Sequence, residues 1–337
     1  MPSDQSTWLI AIPNDGEAEG LSQELHSKLS QQSKFAGLAQ VEIPSFKTGT
    51  LDSLIALSED IPKQEIAFTA TVAKTVDTLR SLLNNDPAKL AQHILIDEKS
   101  VEDYLLKGWK WDEGRYNVQK SLREIVDSLS KDLASIDNAM KAKLNNYNLV
   151  KGSLTQLQRK KLGNLSVRSL ADIVSKEDFI QDSDYLETLL VAVPRFILRD
   201  FVYSEAEVAK QWEELHTADT TEKELWTELL RLSRTNFSES FKVLVHLKVV
   251  RLFVESVLRY GLPANYLGLV IKPDPKVTKK TFNLLQAQFT YLSPRSNRSS
   301  TTKGSRAEGE EYIGEYQTLM DQEFFDFVLF EVPWIVY

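Results

Sequence analysis

NVQKSLREIVDSLSKDLASIDNAMKAKLNNYNLVKGSLTQLQRKK, residues 117–161, decides the architecture. Its apolar positions are Val118, Leu122, Ile125, Leu129, Leu133, Ile136, Met140, Leu144, Tyr147, Val150, Leu154 and Leu157, spaced 4, 3, 4, 4, 3, 4, 4, 3, 3, 4 and 3. Alternating threes and fours sustained this long are the signature of a coiled-coil helix. No proline or glycine interrupts the run before Gly152. At 1.5 Å per residue such a helix reaches ~68 Å, more than a globular core needs. A helix with one apolar seam is not stable alone in water, so it requires a partner.

Residues 205–260 offer that partner. They too lack proline and glycine, and Val208, Trp212, Leu215, Leu225, Leu229 and Leu232 are seam candidates. With only about forty residues between the two stretches, the pattern predicts an antiparallel helical hairpin closed by a small cap. The segment VLVHLKVVRLFVESVL (243–258) is the most apolar of the chain. Lys248, Arg251, Glu255 and Arg259 interrupt it at spacings of three and four. That leaves one polar stripe on a helix otherwise buried in protein, and it breaks the ~20 apolar residues a membrane span needs. We expect a soluble chain.

The flanks read as mixed α/β. WLIAIP (8–13), ended by Pro-Asn-Asp-Gly, predicts a buried strand; Leu21, Leu25 and Leu29 share a helical face; residues 39–44 predict a second strand. A short helix over 50–60 and a clearer one over 64–83 follow, the latter with Ile66, Val72, Val76, Leu79 and Leu83 on one side, and Pro87 ends the region. Trp109 and Trp111 flank a strand-like KWDEGRYNV, and we expect them, with Trp334, to pack in a core. Beyond Leu262-Pro263, residues 267–272 predict a strand, 277–292 a helix, 293–310 a mobile Ser/Arg/Thr/Gly-rich loop, and 323–332 (EFFDFVLFEV) a closing strand. A hairpin returns both ends of the chain to one place. The expected class is therefore α+β: a discontinuous α/β domain from 1–115 and 262–337, a helical pair from 116–161 and 203–261, and a small remainder over 162–202.

Composition narrows the function. The 337 residues carry 40 Lys+Arg against 48 Asp+Glu, a net charge of −8, with a pI near 5.3, unlike a basic nucleic-acid binder. With no cysteine there is no disulfide framework, no thiolate chemistry and no Cys-ligated zinc. The polar opening MPSDQSTW does not read as a targeting segment, so the three N-x-[ST] sequons at Asn164, Asn236 and Asn297 read as chance. No Gly-Lys-Ser/Thr loop, G-x-G-x-x-G, G-x-S-x-G or H-E-x-x-H occurs, and the histidines at 26, 93, 216 and 246 never fall at a metal-ligand spacing. We expect no catalytic, cofactor or metal site. His246, inside an apolar helix, reads as a hydrogen-bonded core residue, and Glu213, Glu214, Glu222, Glu224 and Glu228 as a solvated face. One charge feature stands out: residues 151–171 carry Lys151, Arg159, Lys160, Lys161 and Arg168 and no acid. Cations favour a helix C-terminus through the macrodipole, which explains part of it; a basic tip awaiting an acidic partner is the second reading. The candidate partner-binding residues are Lys160, Lys161 and Arg168.

RKKLGNLSVRSLADIV (159–174), VAVP (191–194) and VESVLRYGLP (254–263) carry a resemblance, joined in the same order by IPSFKTGTLDSLI (43–55) and FNLLQAQFTYL (282–292). Together they resemble the C subunit of the eukaryotic vacuolar-type proton-translocating ATPase over almost the whole chain. The resemblance implies a foot built from both termini, a helical neck and a globular head, with no catalysis and no cofactor. It implies a stator clamp bridging peripheral stalks, each an E and G subunit pair, and the cytosolic N-terminal domain of the membrane-sector a subunit. It further implies a part in the reversible assembly of the catalytic and membrane sectors, and a cytoplasmic location on the cytosolic face of endomembranes. In one place the chain departs from the family. There a longer segment follows VAVP, whereas here Arg195 and then FILRDFVYSEAEV (196–208) follow at once, leaving a shortened head. The competing readings are a helical-hairpin adaptor of another assembly and an enzyme with a site in the α/β part.

Overall fold

WLIAIP becomes one of the two inner strands of a four-stranded antiparallel sheet. β1 (Ser6–Pro13) sits between β3 (Tyr266–Lys272) and β4 (Val328–Pro333), with Ile10 opposite Leu269 on one side and Leu329 on the other; β2 (Gly37–Glu42) pairs with the far edge of β3. Alternate residues Trp8, Ile10 and Ile12 enter a core with Leu25 and Leu29 of α1 (Ala18–Gln32) and Phe282, Leu285 and Phe289 of α7 (Thr278–Gln288). Leu9 and Ala11, on the opposite face, are equally buried. Burial of both faces is why this strand reads as one continuous apolar run rather than an alternating one. At Gly268 a side chain is excluded: an added Cβ would lie 2.5 Å from the Val41 carbonyl oxygen, so glycine sets the approach of β2 to β3.

The computed structural model describes residues 2–14, 18–32, 37–162, 205–292 and 327–334. They fall in two compact units, Met1–Asp137 with Arg234–Tyr337, and Asn138–Ser233. The shortened segment at 162–202, apart from Leu162, and the loop at 293–310 lie outside the described residues.

Several local expectations for the first unit change. The two helices expected over 50–60 and 64–83 are one, α2 (Leu51–Leu82), running through Pro62. Thr50 caps its start, and Leu54, Leu57 and Ile61 before the proline and Phe68, Val72 and Val76 after it bury one continuous face. That burial offsets the roughly 3 kcal/mol an internal proline costs. Ile66 is not on this face; it is 72% exposed. Pro87 does not close the region but opens α3 (Pro87–His93), where its missing N–H is no loss and Asp86 accepts from the amides of Ala88 and Lys89. KWDEGRYNV is no strand. After the short α4 (Val101–Asp103) and a π-helical turn (Tyr104–Gly108), Asp112 accepts from the Arg115 amide and Trp111 Nε1 donates to the Tyr116 carbonyl, curling the segment into turns.

α5 (Leu122–Leu162) begins in a reciprocal cap: Ser121 Oγ accepts from the Glu124 amide while the Glu124 carboxylate accepts from the Ser121 amide. In the first unit its seam residues Leu122, Ile125, Leu129 and Leu133 are buried. α6 (Glu205–Tyr260) contributes residues 234–260 to the same unit, and these are buried on almost every side. The second unit contains the remainder of both helices. Met140, Tyr147 and Leu154, seven residues apart, are buried on α5, with Leu229 and Ser233 on α6. Met140 meets Ser233, Lys143 meets Glu228 and Tyr147 meets Glu222. One number rises as the other falls, so the helices are antiparallel.

Candidate functional site

α6 brings its polar residues into the first unit as internal groups. Lys248 is 2% exposed. Its ammonium donates to Glu65 of α2 and, at 2.6 Å, to the backbone carbonyl of Glu331 on β4. Arg251 donates to the other oxygen of Glu65 at 2.7 Å and lies 4.1 Å over the Phe330 ring. Burial works to raise the Glu65 carboxyl, but Lys248 and Arg251 outweigh it and hold it below the usual carboxylate range. Of the polar stripe, Lys248 and Arg251 thus face α2 and β4, Glu255 is half-buried, and Arg259 at its end is exposed.

His246 is held as a core residue. Trp109, Trp111 and Tyr116 surround it at ring-centroid distances of 5.7, 4.9 and 5.2 Å. Its Nδ1 is 2.7 Å from the Lys242 carbonyl, which can only accept, and its Nε2 is 3.3 Å from the Asp112 amide, which can only donate. Both bonds are satisfied by the neutral ring protonated at Nδ1. Burial pushes its pKa below the ordinary histidine value. Next to it, Arg115 bridges Asp132 and Glu239 at 2.9 and 2.8 Å, and Tyr116 donates to Asp132 at 2.7 Å. These groups satisfy one another, which is the behaviour of scaffold rather than of a reactive centre. Among the described residues no group of acids and histidines is arranged to hold a metal ion, and no helix is long and apolar enough to cross a membrane.

In the second unit the surface is ionic. Lys143 pairs with Glu228 at 2.6 Å, and the Tyr147 hydroxyl donates to Glu222 at 2.8 Å. Burial and that bond push the Tyr147 pKa up to about 12. Glu222 and Glu228 therefore engage α5, while Glu213, Glu214 and Glu224 are exposed as the solvated-face reading expects. Lys160 and Lys161 stand in the last turn of α5; Arg168 lies outside the described residues.

A family model for the C subunit of V-ATPases matches residues 7–196 and 195–328. The chain belongs to this family. The C 1 subunits of the V-type proton ATPases of Macaca fascicularis and of Mus musculus are each 31% identical to it, over 85% of this chain and 88% of the relative. The C 1-B subunit of the Danio rerio V-type proton ATPase is 31% identical over 85% of the chain and 89% of the relative. Members of this family are non-catalytic subunits of a proton ATPase complex, and this chain is a non-catalytic subunit of that kind. The alignments also measure a difference. Each spans 339 positions, yet 85% of 337 residues is about 286, so about fifty positions of the relative have no counterpart in this V-ATPase chain. The two pieces of the family match meet at Arg195-Phe196, immediately after VAVP.

Proposed function

We propose that this V-ATPase chain is a stator element. It bridges peripheral stalks of E and G subunits to the cytosolic N-terminal domain of the membrane-sector a subunit, on the cytosolic face of the membrane, and leaves when the catalytic and membrane sectors separate. The observation that carries the reading is the ordered family match across residues 7–328, on a chain whose two longest helices form an antiparallel pair. A rotary machine transmits torque only if its stationary part resists rotation. Helices of 41 and 56 residues locked by an ionic and apolar seam supply stiffness, and a sheet built from both chain ends closes one unit on itself.

In this reading residues 1–115 and 262–337 are the foot, 116–161 and 203–261 the neck, and 162–202 a head reduced by the roughly fifty missing positions. Lys160, Lys161 and Arg168 form a basic tip at the neck–head boundary that meets an acidic stalk surface. Their charge acts on encounter, so replacing all three with Gln slows association with isolated stalk and flattens its salt dependence, leaving dissociation nearly unchanged. The decisive experiment is affinity purification of the tagged full chain from cells before and after a stimulus that separates the sectors. Recovery of E, G and a subunits before, and their loss after, is the expected result; persistent recovery of none of them overturns the reading.

A further inference from the structure

The outward side of α2 is divided into two rows of different chemistry. Leu51, Ile55, Pro62, Ile66 and Ala73 fall within about 60° of one another around the helix and extend for ~33 Å along it. Leu51, Ile55 and Ile66 are 64%, 44% and 72% exposed, half of the six large apolar side chains exposed among the described residues. On one side this row borders the buried face of Leu54, Leu57, Ile61, Phe68 and Val72. On the other runs a second exposed row that carries the charges Asp52, Glu59, Lys63, Lys74 and Asp77. A single exposed leucine needs no explanation, but three large apolar side chains gathered on one edge of one helix, sorted from the charges beside them, do.

The acids beside the row differ in what engages them. Asp77 is paired with Arg80 at 3.1 Å, and Asp60, on the same helix, with Arg123 at 2.9 Å and Lys63 at 3.8 Å. Asp52 stands in the first turn of α2, where the helix dipole favours a negative charge. Glu59 has neither explanation. It is exposed beside the row between Ile55 and Pro62, and its carboxylate has no ion pair or hydrogen bond among the described residues.

We propose that this row of α2 docks an amphipathic α-helix of another subunit, with Leu51, Ile55 and Ile66 as its apolar anchors and a Lys or Arg of the partner paired to Glu59. The inference rests on the stator reading and deepens it by naming the chemistry of one partner contact on the first unit. Spacings of 4, 7, 4 and 7 keep the row on one side of a helix and match a second helix laid alongside. The unengaged carboxylate selects a basic group through charge complementarity. An anionic membrane is the poorer fit. Helices that lie in a lipid interface carry Lys and Arg beside their apolar face, whereas here Asp52, Glu59 and Asp77 outnumber Lys63 and Lys74. A second copy of this chain fits less well too. Three large side chains a copy fall short of the roughly 800 Å² per partner that a stable pair of standard size buries, while a subunit held at several places can use a small contact.

The test places a photo-crosslinking residue at position 66 of the full chain, produced in cells and recovered with the proton ATPase. A second version carries it at position 67, where Ala67 is exposed outside the row. Crosslinked peptides are identified by mass spectrometry. Position 66 is expected to capture a peptide of another subunit with helical apolar period and at least one Lys or Arg, in several times the yield of position 67. Glu59→Lys, with unchanged melting, lowers the position-66 yield about tenfold, and Glu59→Gln lowers it less. The contrast between positions 66 and 67 stands even if the Glu59→Lys chain is poorly folded. Equal yields from the two positions, or a position-66 yield indifferent to Glu59→Lys, overturn the proposal. Crosslinks to lipid, to a second copy of this chain or to another segment of the same chain do so as well, as does the absence of any crosslink when ATPase subunits are recovered. If no ATPase subunits are recovered, the stator reading falls and takes this inference with it.

Discussion

The two halves of α6 use the same backbone to opposite ends. Residues 234–260 present Phe237, Phe241, Phe253 and nearly every neighbour to protein, and even Lys248 is inside. Residues 205–233 bury Leu229 and Ser233 among the described side chains and leave most of the others wholly or partly in solvent. In residues 234–260 stability comes from apolar burial, and the buried Lys248 is paired with Glu65. In residues 205–233 one seam holds the helix against α5, and most of the other described side chains remain wholly or partly in solvent. The difference shows that a long helix can be anchored at one end and display its surface at the other, with no break in the backbone.

The harshest way to break this contrast is to open the internal ion pair. Glu65→Ala leaves Lys248 buried without its carboxylate, and we expect a loss of about 3–5 kcal/mol in chemical unfolding of the full chain. A cost near zero would show that water reaches Lys248 and that the first half is not truly internal. The sign with pH follows. The Glu65 carboxyl titrates lower when folded than when unfolded, so its contribution is complete above the ordinary carboxylate pKa and is lost as pH falls through its lowered folded value. The acid limb of a melting-temperature profile is therefore flatter in Glu65→Gln.

Paired truncations sharpen the same comparison. Phe253→Ala in the buried half is expected to cost about 3–4 kcal/mol, from lost transfer energy and a cavity, and half-buried Leu225→Ala in the other half about 1 kcal/mol. Equal costs in denaturant titrations would mean that both halves are cores.

A milder perturbation is acid itself, read at His246. Its folded-state pKa lies below the ordinary histidine value, so the unfolded chain takes the proton first. Stability that is full above pH ~6.5 then declines as pH falls through the window below it. The groups facing the ring are Asp112, Arg115 and Lys242, and the Trp109, Trp111 and Tyr116 rings close it off. Replacing His246 with Gln should remove that part of the slope in thermal melts between pH 7 and 5, and an unchanged slope would assign it to other groups.

The smallest effect expected is at the exposed Lys143–Glu228 pair, whose side chains are 43% and 52% in solvent. Lys143→Ala should change stability by less than about 1 kcal/mol in a double-mutant cycle with Glu228→Ala. A coupling several times larger would make the second unit electrostatically, rather than hydrophobically, assembled.

Much of this was legible in the linear chain because it follows from periodicity. The 3–4 spacing through residues 118–157 specifies one long helix with one apolar side, and WLIAIP with its Pro-Asn-Asp-Gly stop specifies a buried strand. The absence of phosphate-cradling loops and of clustered histidines pointed away from catalysis. The basic run was visible from Lys151, but that Lys143 is engaged by Glu228 and that Leu149 is exposed are decided by packing. Tertiary packing decided the rest. Pro62 sits within a helix because the residues on either side bury the same face. Lys248, Arg251, Glu255 and Arg259 read as one polar stripe on a buried helix, since spacing records which residues share a side of a helix and not what lies opposite. Only the meeting of α2, α6 and β4, from three distant parts of the chain, gives Lys248 and Arg251 their partners. The physical reason is general: local pattern is set by a residue's neighbours in sequence, but the partner of a charge is set by chain closure, and the cost of burying it depends on that partner.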